Sequence, residues 1–583
     1  MADESFQYNG RNRLVVSVLV LVWMLLAGRL IFLQGINRRS LADRADRQRT
    51  YVEVIPARPG DILDRQGRLL ATTVTTRSLY AVPSRIEDPS AIVGKLADVL
   101  NLDPQEMFQR LSSHRTSHFL WIKRRLSEEE AEKVRKLKLP EELWGFRQEY
   151  LRRYPQGKLA AHLLGLRDID GNGRGGLEQS FDSVLRGRDG QRELMRDARG
   201  HVIHIRDAVR DYPEHGRSIV LALDAVIQLY AEQELDAVMH QWRPKHACLC
   251  VLDPQTGDVL AMASRPTFDP NRPVNVPEAA WKNTNIASVY EPGSTFKPFV
   301  TAWAIETKAV EPNEMFHCEH GEYRMGRRIL HDHHSYGELN VIDILVKSSN
   351  IGMAKIGERL TNTGLHEATR VFGFGSRTGS GLPGELEGVV RPLNKWNSYS
   401  TGSVPMGQEI SVTPLQMIVA YAALANGGIL RSPRLVLRYD DVLPSEYERR
   451  ENLIPLGQVV SQVVSPKTAN WIVQGPMTEV VNRGTGKKAQ LDGYSVFGKT
   501  GTAQKFDPAT GRYSSKLHVS SFLCGAPSEN PRVLVLVMVD EPSVGGTHYG
   551  GTIAAPAAAQ VLKKTLIHLG VPANGDLLRS AGR

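Results

Sequence analysis

The longest hydrophobic stretch in the chain lies close to its start. Residues Leu14 to Gly28 are apolar except for Ser17, Arg29 follows, and Leu30 to Leu33 complete a run of 20 residues. At the helical rise of about 1.5 Å per residue this length crosses a hydrocarbon core of about 30 Å. Arg29 sits near one end, where its long stem lets the guanidinium reach the headgroups. No Ala-x-Ala cleavage site and no lipid-accepting cysteine follow the run, so it reads as a retained signal-anchor. Beyond it, from about residue 40 to 215, short strand-like segments alternate with charged helical stretches such as Ser127 to Lys138. Turn-rich pieces punctuate them, including Asp168-Ile-Asp-Gly-Asn-Gly-Arg-Gly-Gly. Asp168 to Gly171 lacks the spacing and closing glutamate of a calcium loop and reads as a plain turn.

The pattern changes near residue 218. Ser218 to Leu223 is strand-like, and Asp224 is placed to cap a helix carrying Ile227, Leu229, Ala231 and Leu235. Ala247 to Leu252 and Val259 to Ala263 are apolar runs joined by Asp253-Pro-Gln-Thr-Gly-Asp, a hairpin signal. Val533 to Val539 is a continuous apolar run that reads as a buried strand of the same sheet. A sheet built from both ends of a segment, with helices between, predicts one α/β domain over about 218 to 570. The expected division is a tail over 1–13, a transmembrane anchor over 14–34, an elongated α+β pedestal over 35–216, a catalytic domain over 217–572 and a tail over 573–583.

Composition adds bounds. A chain of 583 residues exceeds what one core serves. The net charge of +9 reads first as a solvated basic surface and next as attraction to anionic lipid or a wall polymer, and no nucleic-acid module accompanies it. The arginines do not orient the anchor: Arg11 and Arg13 precede it, whereas Arg38, Arg39, Arg44, Arg47 and Arg49 follow. Cys248 and Cys250 lie two apart on one strand and point the same way, which does not suit a bridge between them; pairing with Cys318 or Cys524 stays open.

The candidate chemistry lies in three short patterns. Glu291-Pro-Gly-Ser-Thr-Phe-Lys-Pro contains Ser-x-x-Lys, with a turn at Pro292-Gly293 and a helix expected to begin at Ser294. On one helix face Lys297 reaches Ser294, and a lysine of lowered pKa can serve as base to a serine nucleophile. Ser348-Ser-Asn350 fits Ser-x-Asn, and Lys499-Thr-Gly-Thr502 fits Lys-Thr-Gly on an apparent edge strand, where Gly501 is expected to admit a peptide backbone. Together, in this order, these are the signature of penicillin-binding proteins and class A β-lactamases. His317, Cys318, His320, His331, His333 and His334 crowd the stretch between the first two patterns. Their spacing matches no structural zinc pattern, and a polar loop over the cleft is expected; neither metal nor cofactor is called for.

Beyond these motifs, nearly the whole chain resembles the class B penicillin-binding proteins. Arg58-Pro-Gly-Asp-Ile-Leu-Asp-Arg-Gln-Gly, Arg153-Tyr-Pro and Gly175-Gly-Leu-Glu178 resemble pedestal motifs of that family, and Val539-Asp-Glu-Pro and Tyr549-Gly-Gly-Thr-Ile-Ala-Ala-Pro556 resemble the end of its catalytic domain. The resemblance implies a serine transpeptidase, β-lactamase-like domain of mainly antiparallel sheet flanked by helices. It implies that Ser294 attacks the penultimate D-Ala carbonyl of a stem peptide and that Lys297 takes its proton. Ser348 and Lys499 would relay protons, Asn350 would bind the substrate amide, and Thr500, Gly501 and Thr502 would line the carboxylate site. The N–H groups of Ser294 and Thr502 would form the oxyanion hole. It further implies acylation by β-lactam antibiotics, a cytoplasmic membrane anchor with the catalytic domain outside, and partners among glycosyltransferase polymerases and other division proteins. Tyr290-Glu-Pro-Gly-Ser-Thr-Phe-Lys resembles division-type members, and Met406-Gly-Gln-Glu-Ile-Ser-Val-Thr resembles a variant of division- and sporulation-type members. Elongation- and sporulation-type enzymes, a D,D-carboxypeptidase, a β-lactamase and a β-lactam sensor are the rival readings. The lactamase lacks its Glu-x-x-Leu-Asn, and the sensor its cytoplasmic output segment.

Overall fold

A computed structural model describes residues 4–196, 202–440, 457–507, 511–545 and 548–573. Contacts divide the chain into two compact units, residues 1–58 with 187–216, and 59–186 with 217–583. The first unit holds the helix Glu4–Ile31, continued by a wider turn over Phe32–Ile36, and the helix Arg38–Arg49. Gly10–Ile36, with an 18-residue window of mean hydropathy 2.5, is long and apolar enough to cross a membrane. Thr50–Ile55 pairs antiparallel with Gly190–Arg196, which pairs with Val202–Asp211.

In the second unit the expected sheet is present. His246–Leu252 (β1), Val259–Arg265 (β2), Phe497–Asp507 (β3), Arg512–Ala526 (β4) and Val533–Asp540 (β5) form an antiparallel sheet in the order β2-β1-β5-β4-β3. The apolar runs are continuous because both faces are covered. Leu249, Val251, Val535 and Val537 face a core with Ile227, Leu235, Ala554 and Leu562. Those come from the helices Ala225–Trp242 (α1) and Gly550–His568. Cys248, Cys250, Leu534 and Leu536, one residue out of step, join Phe296, Phe299, Ile418 and Tyr421 on the other face. Asp224 caps α1 by accepting from the N–H groups of Val226 and Ile227; of the apolar residues named on this helix, Ile227, Ala231 and Leu235 are buried and Leu229 is exposed. All four cysteines are free and buried, and Cys524 belongs to the core opposite Cys248 and Cys250.

Of the segment 35–216 expected as the pedestal, residues 59–186 are continuous with this unit through a second sheet. Val436–Asp440, Ser218–Leu221, Ile62–Leu63, Leu69–Ala81 and Leu120–Leu126 are its successive strands, and Trp144–Arg153 also pairs with Leu69–Ala81. The motifs at Arg58, Arg153 and Gly175 have a common physical reason. Glu178 is fully buried and accepts from Arg152 Nε (2.7 Å), Arg167 Nε (2.7 Å) and Tyr154 Oη (3.2 Å), while Arg152 Nη1 donates to Gly60 O (2.6 Å). One carboxylate thus gathers three separated segments. Ser127 caps the helix Glu128–Lys136 reciprocally with Glu130, and Asp168 closes its turn by accepting from the N–H groups of Asp170 and Asn172.

Candidate active site

Ser294 lies just past a turn that few residues could make. Gly293 has φ 56° and donates its N–H to Gly407 O (3.1 Å); Gly407 has φ 76°, and a Cβ there would stand 2.2 Å from Gly293 O. The helix expected to begin at Ser294 begins instead as a 3₁₀ turn, Gly293–Phe296, and becomes α-helical over Lys297–Glu306 (α2). Residues three apart eclipse in a 3₁₀ turn, which puts Ser294 and Lys297 on the same side. The turn is held from beneath. Phe296 and Phe299 pack on Phe374, Phe299 also on Phe372 and Tyr421, and Tyr421 Oη donates to Thr295 O (2.5 Å).

Lys297 is fully buried, and its ammonium points at the second motif. Nζ lies within hydrogen-bond distance of Ser348 O (2.7 Å), Asn350 Oδ1 (2.9 Å), Ser348 Oγ (3.2 Å) and Ser349 O (3.3 Å). Burial lowers its pKa to about 7, against the opposing pull of Asp332. Ser348 ends the helix Val341–Lys347 in the left-handed region (φ 57°, ψ 38°), and Ser349 caps the next helix, Asn350–Val371 (α3). This junction turns both the hydroxyl and the carbonyl of Ser348 toward Lys297. From the strand side, Lys499 Nζ donates to Ser348 Oγ (3.0 Å) and Thr500 O (3.3 Å). Burial and the neighbouring charge of Lys297 hold Lys499 well below the usual lysine range. Two ammonium groups sharing one hydroxyl disfavour double protonation, so the cluster carries a neutral amine near neutral pH.

The third motif is on β3, an edge of the sheet as expected. Thr500 Oγ1 is 2.7 Å from Thr485 Oγ1, and Thr502 Oγ1 accepts from Gly550 N–H (3.0 Å). Gly501 is also demanded by the packing around it. A Cβ there would lie 2.4 Å from Ser521 Oγ, 2.9 Å from Thr295 Cγ2 and 3.0 Å from Pro292 O. The missing side chain therefore lets the strand close on the turn that carries Ser294.

One member of this neighbourhood was invisible as a motif. Asp332, from the loop after the strand Arg328–His331, accepts from Ser349 Oγ (2.6 Å), the N–H of Asn350 and the N–H of Ile351 (3.2 Å). Asn350 Nδ2 donates to His331 O (3.0 Å). Part of the histidine-rich stretch is thus a loop over the second motif. His333 is exposed there, its ring edge-on to Tyr549, and partial desolvation and the charge of Lys297 lower its pKa. Among the described residues, no three His, Cys, Asp or Glu side chains cluster as a metal site.

Fold and site together define a serine enzyme of the penicillin-binding class. The model of the penicillin-binding protein transpeptidase domain matches residues 247–563, and that of the penicillin-binding protein dimerisation domain matches residues 54–221. The probable peptidoglycan D,D-transpeptidase PenA of Neisseria gonorrhoeae is 33% identical, over 98% of this chain and 95% of its own. The peptidoglycan D,D-transpeptidase FtsI of Escherichia coli is 30% identical over 95% and 90%. Stage V sporulation protein D of Bacillus subtilis is 31% identical over 96% and 86%. The crystal structure of penicillin-binding protein 3 from Mycobacterium tuberculosis in complex with aztreonam is similar at a TM-score of 0.69 and 29% identity, covering 89% of this chain and 98% of its own. The chain belongs to the class B penicillin-binding proteins, and it is a serine-type transpeptidase.

Proposed function

We propose that this enzyme is a membrane-anchored peptidoglycan D,D-transpeptidase working through an acyl-enzyme on Ser294, in septal wall synthesis. The observation that carries the reading is the convergence of two buried lysines, Lys297 and Lys499, on Ser348 Oγ beside the Ser294 turn. Ser294 Oγ attacks the penultimate D-Ala carbonyl of a stem peptide, and its proton passes to neutral Lys297. The ester forms as the amide bond breaks, and the terminal D-Ala leaves with a proton relayed by Ser348 and Lys499. An acceptor amine then attacks the ester, loses its proton through the same relay and regenerates Ser294. The N–H groups of Ser294 and Thr502 face the oxyanion, Asn350 orients the donor amide, and Thr500 and Thr502 with Gly501 form the carboxylate end of the cleft. β-Lactams acylate the same serine. Residues 217–572 form the catalytic part; 35–216 is non-catalytic and meets a glycosyltransferase polymerase and other division proteins. The apolar helix lies in the cytoplasmic membrane with residues 1–13 inside and the catalytic part outside, where stem peptides are.

Transpeptidation is tested with a D-Ala-D-Ala stem-peptide donor and an amine acceptor. Cross-linked product and released D-Ala should appear together with the parent protein and vanish in Ser294→Ala. D-Ala release without cross-linking would favour a carboxypeptidase. The sporulation-type relative is as similar as the division-type one, which keeps that second reading alongside the septal one. A tagged copy at midcell in growing cells supports the septal role, and labelling confined to the spore envelope or the side wall contradicts it.

A further inference from the structure

We propose that Asp332 is a positioning residue of the reaction: its carboxylate ties down the Ser348–Asn350 junction and through it fixes the acceptors around Lys297 Nζ. The inference rests on the Ser294 acyl-enzyme reading above. Three donors converge on this one side chain: Ser349 Oγ at 2.6 Å, the N–H of Asn350, and the N–H of Ile351 at 3.2 Å. The two N–H groups belong to the first turn of α3, which an acid stabilises by satisfying free donors at the positive end of the helix dipole. Ser349 is the ordinary cap of that helix, accepting from Gly352 N–H (3.0 Å). Asp332 is therefore a second clamp on an end already capped, and helix stability alone does not call for it.

What the clamp holds is the Lys297 cage. Ser349 O and Asn350 Oδ1 come from residues Asp332 grips and Ser348 O from the residue just before them, and the Asn350 amide is turned the right way by His331 O, the neighbour of Asp332. The groups around the pair are few. Lys499 faces Lys297 from β3, and His333 faces it from the Asp332 loop. Cys318 and Tyr336 border the carboxylate, the Cys318 sulfur standing 3.6 Å from Ser349 Oγ. Asp332 is an anion beside a buried amine, so it supports the protonated form of Lys297 against burial. It thus acts both through geometry and through the field at Lys297.

Two variants of the full chain in detergent separate these effects. Asp332→Asn keeps an oxygen able to accept from helix N–H groups but removes the charge; Asp332→Ala removes both. The probe is a chromogenic β-lactam, with the acylation rate measured across pH and thermal melting recorded for each protein. In Asp332→Asn the midpoint of the pH–rate profile should fall by about half a unit or more, with melting close to the parent. In Asp332→Ala the rate should fall about 10- to 100-fold, as expected for misplaced catalytic groups. A merely structural aspartate would lower melting in both variants and leave the pH midpoint where it was, which would overturn the proposal, as would an Ala variant within about twofold of the parent. A parent that is not acylated on Ser294 at all would instead overturn the acyl-enzyme reading.

Discussion

Lys297 and Lys499, 202 positions apart in the chain, reach the same hydroxyl: Ser348 Oγ is 3.2 Å from the first Nζ and 3.0 Å from the second. Neither lysine has a carboxylate within ion-pair distance among the described residues, and both are buried. The arrangement keeps amines, rather than ammonium ions, next to a serine.

The pH dependence follows. Burial lowers the Lys297 pKa from the ordinary lysine value to about 7. A lysine is a base only when neutral, above its pKa, so acylation should be slow at pH 5 and rise through about pH 7 toward a plateau. Stopped-flow acylation across pH 5 to 9 checks this. A rate still climbing steeply at pH 9, as an unshifted lysine requires, contradicts it.

Lys297, Ser348 and Lys499 should behave as a unit. Each single alanine variant is expected to lose about 10²–10⁴ in acylation rate, and the doubles little more. Losses that multiply from single to double would mean three independent contributions.

Gly501→Ala should pull the edge strand away from the Ser294 turn, because its Cβ would meet Ser521 Oγ at 2.4 Å and the backbone oxygen of Pro292 at 3.0 Å. Overpacking of this kind costs about 1–3 kcal/mol, and acylation should drop at least about tenfold. Melting and acylation both at parent values would show that the strand can give way without consequence.

Much of this was legible beforehand, for identifiable reasons. The strands Val533–Asp540 and His246–Leu252 are apolar at every position but Asp540 and His246 at their ends, because helices cover both their faces, so the pattern survives in one dimension. The three motifs are short because each places its chemistry within one turn or one strand. Asp332 was hidden because its role is set by three donors 17 to 19 positions away, inside a histidine-rich stretch that drew attention for its rings. The continuity of residues 59–186 with the catalytic unit was hidden because it runs through a two-residue strand, Ile62–Leu63, paired with Ser218–Leu221. The 3₁₀ start at Ser294 depends on Gly407, more than a hundred positions on, which no local window reads.

Glu178 makes a stability prediction independent of the catalytic site. Its carboxylate is fully buried between Arg152 and Arg167. Glu178→Ala leaves the buried Arg152 guanidinium without its anion and Arg167 with Asp182 alone, a loss of about 3–5 kcal/mol. Thermal melting should fall by many degrees, more than for a surface control such as Glu129→Ala. Equal melting would mean the cluster holds nothing together.

The claim on which the rest depends is that Ser294 is the nucleophile. Intact-protein mass spectrometry after incubation with benzylpenicillin, followed by peptide mapping, tests it most directly. One adduct per chain is expected, on the peptide containing Ser294, and none in Ser294→Ala. An undiminished adduct in that variant, or one mapped to another residue of the parent protein, would contradict the account.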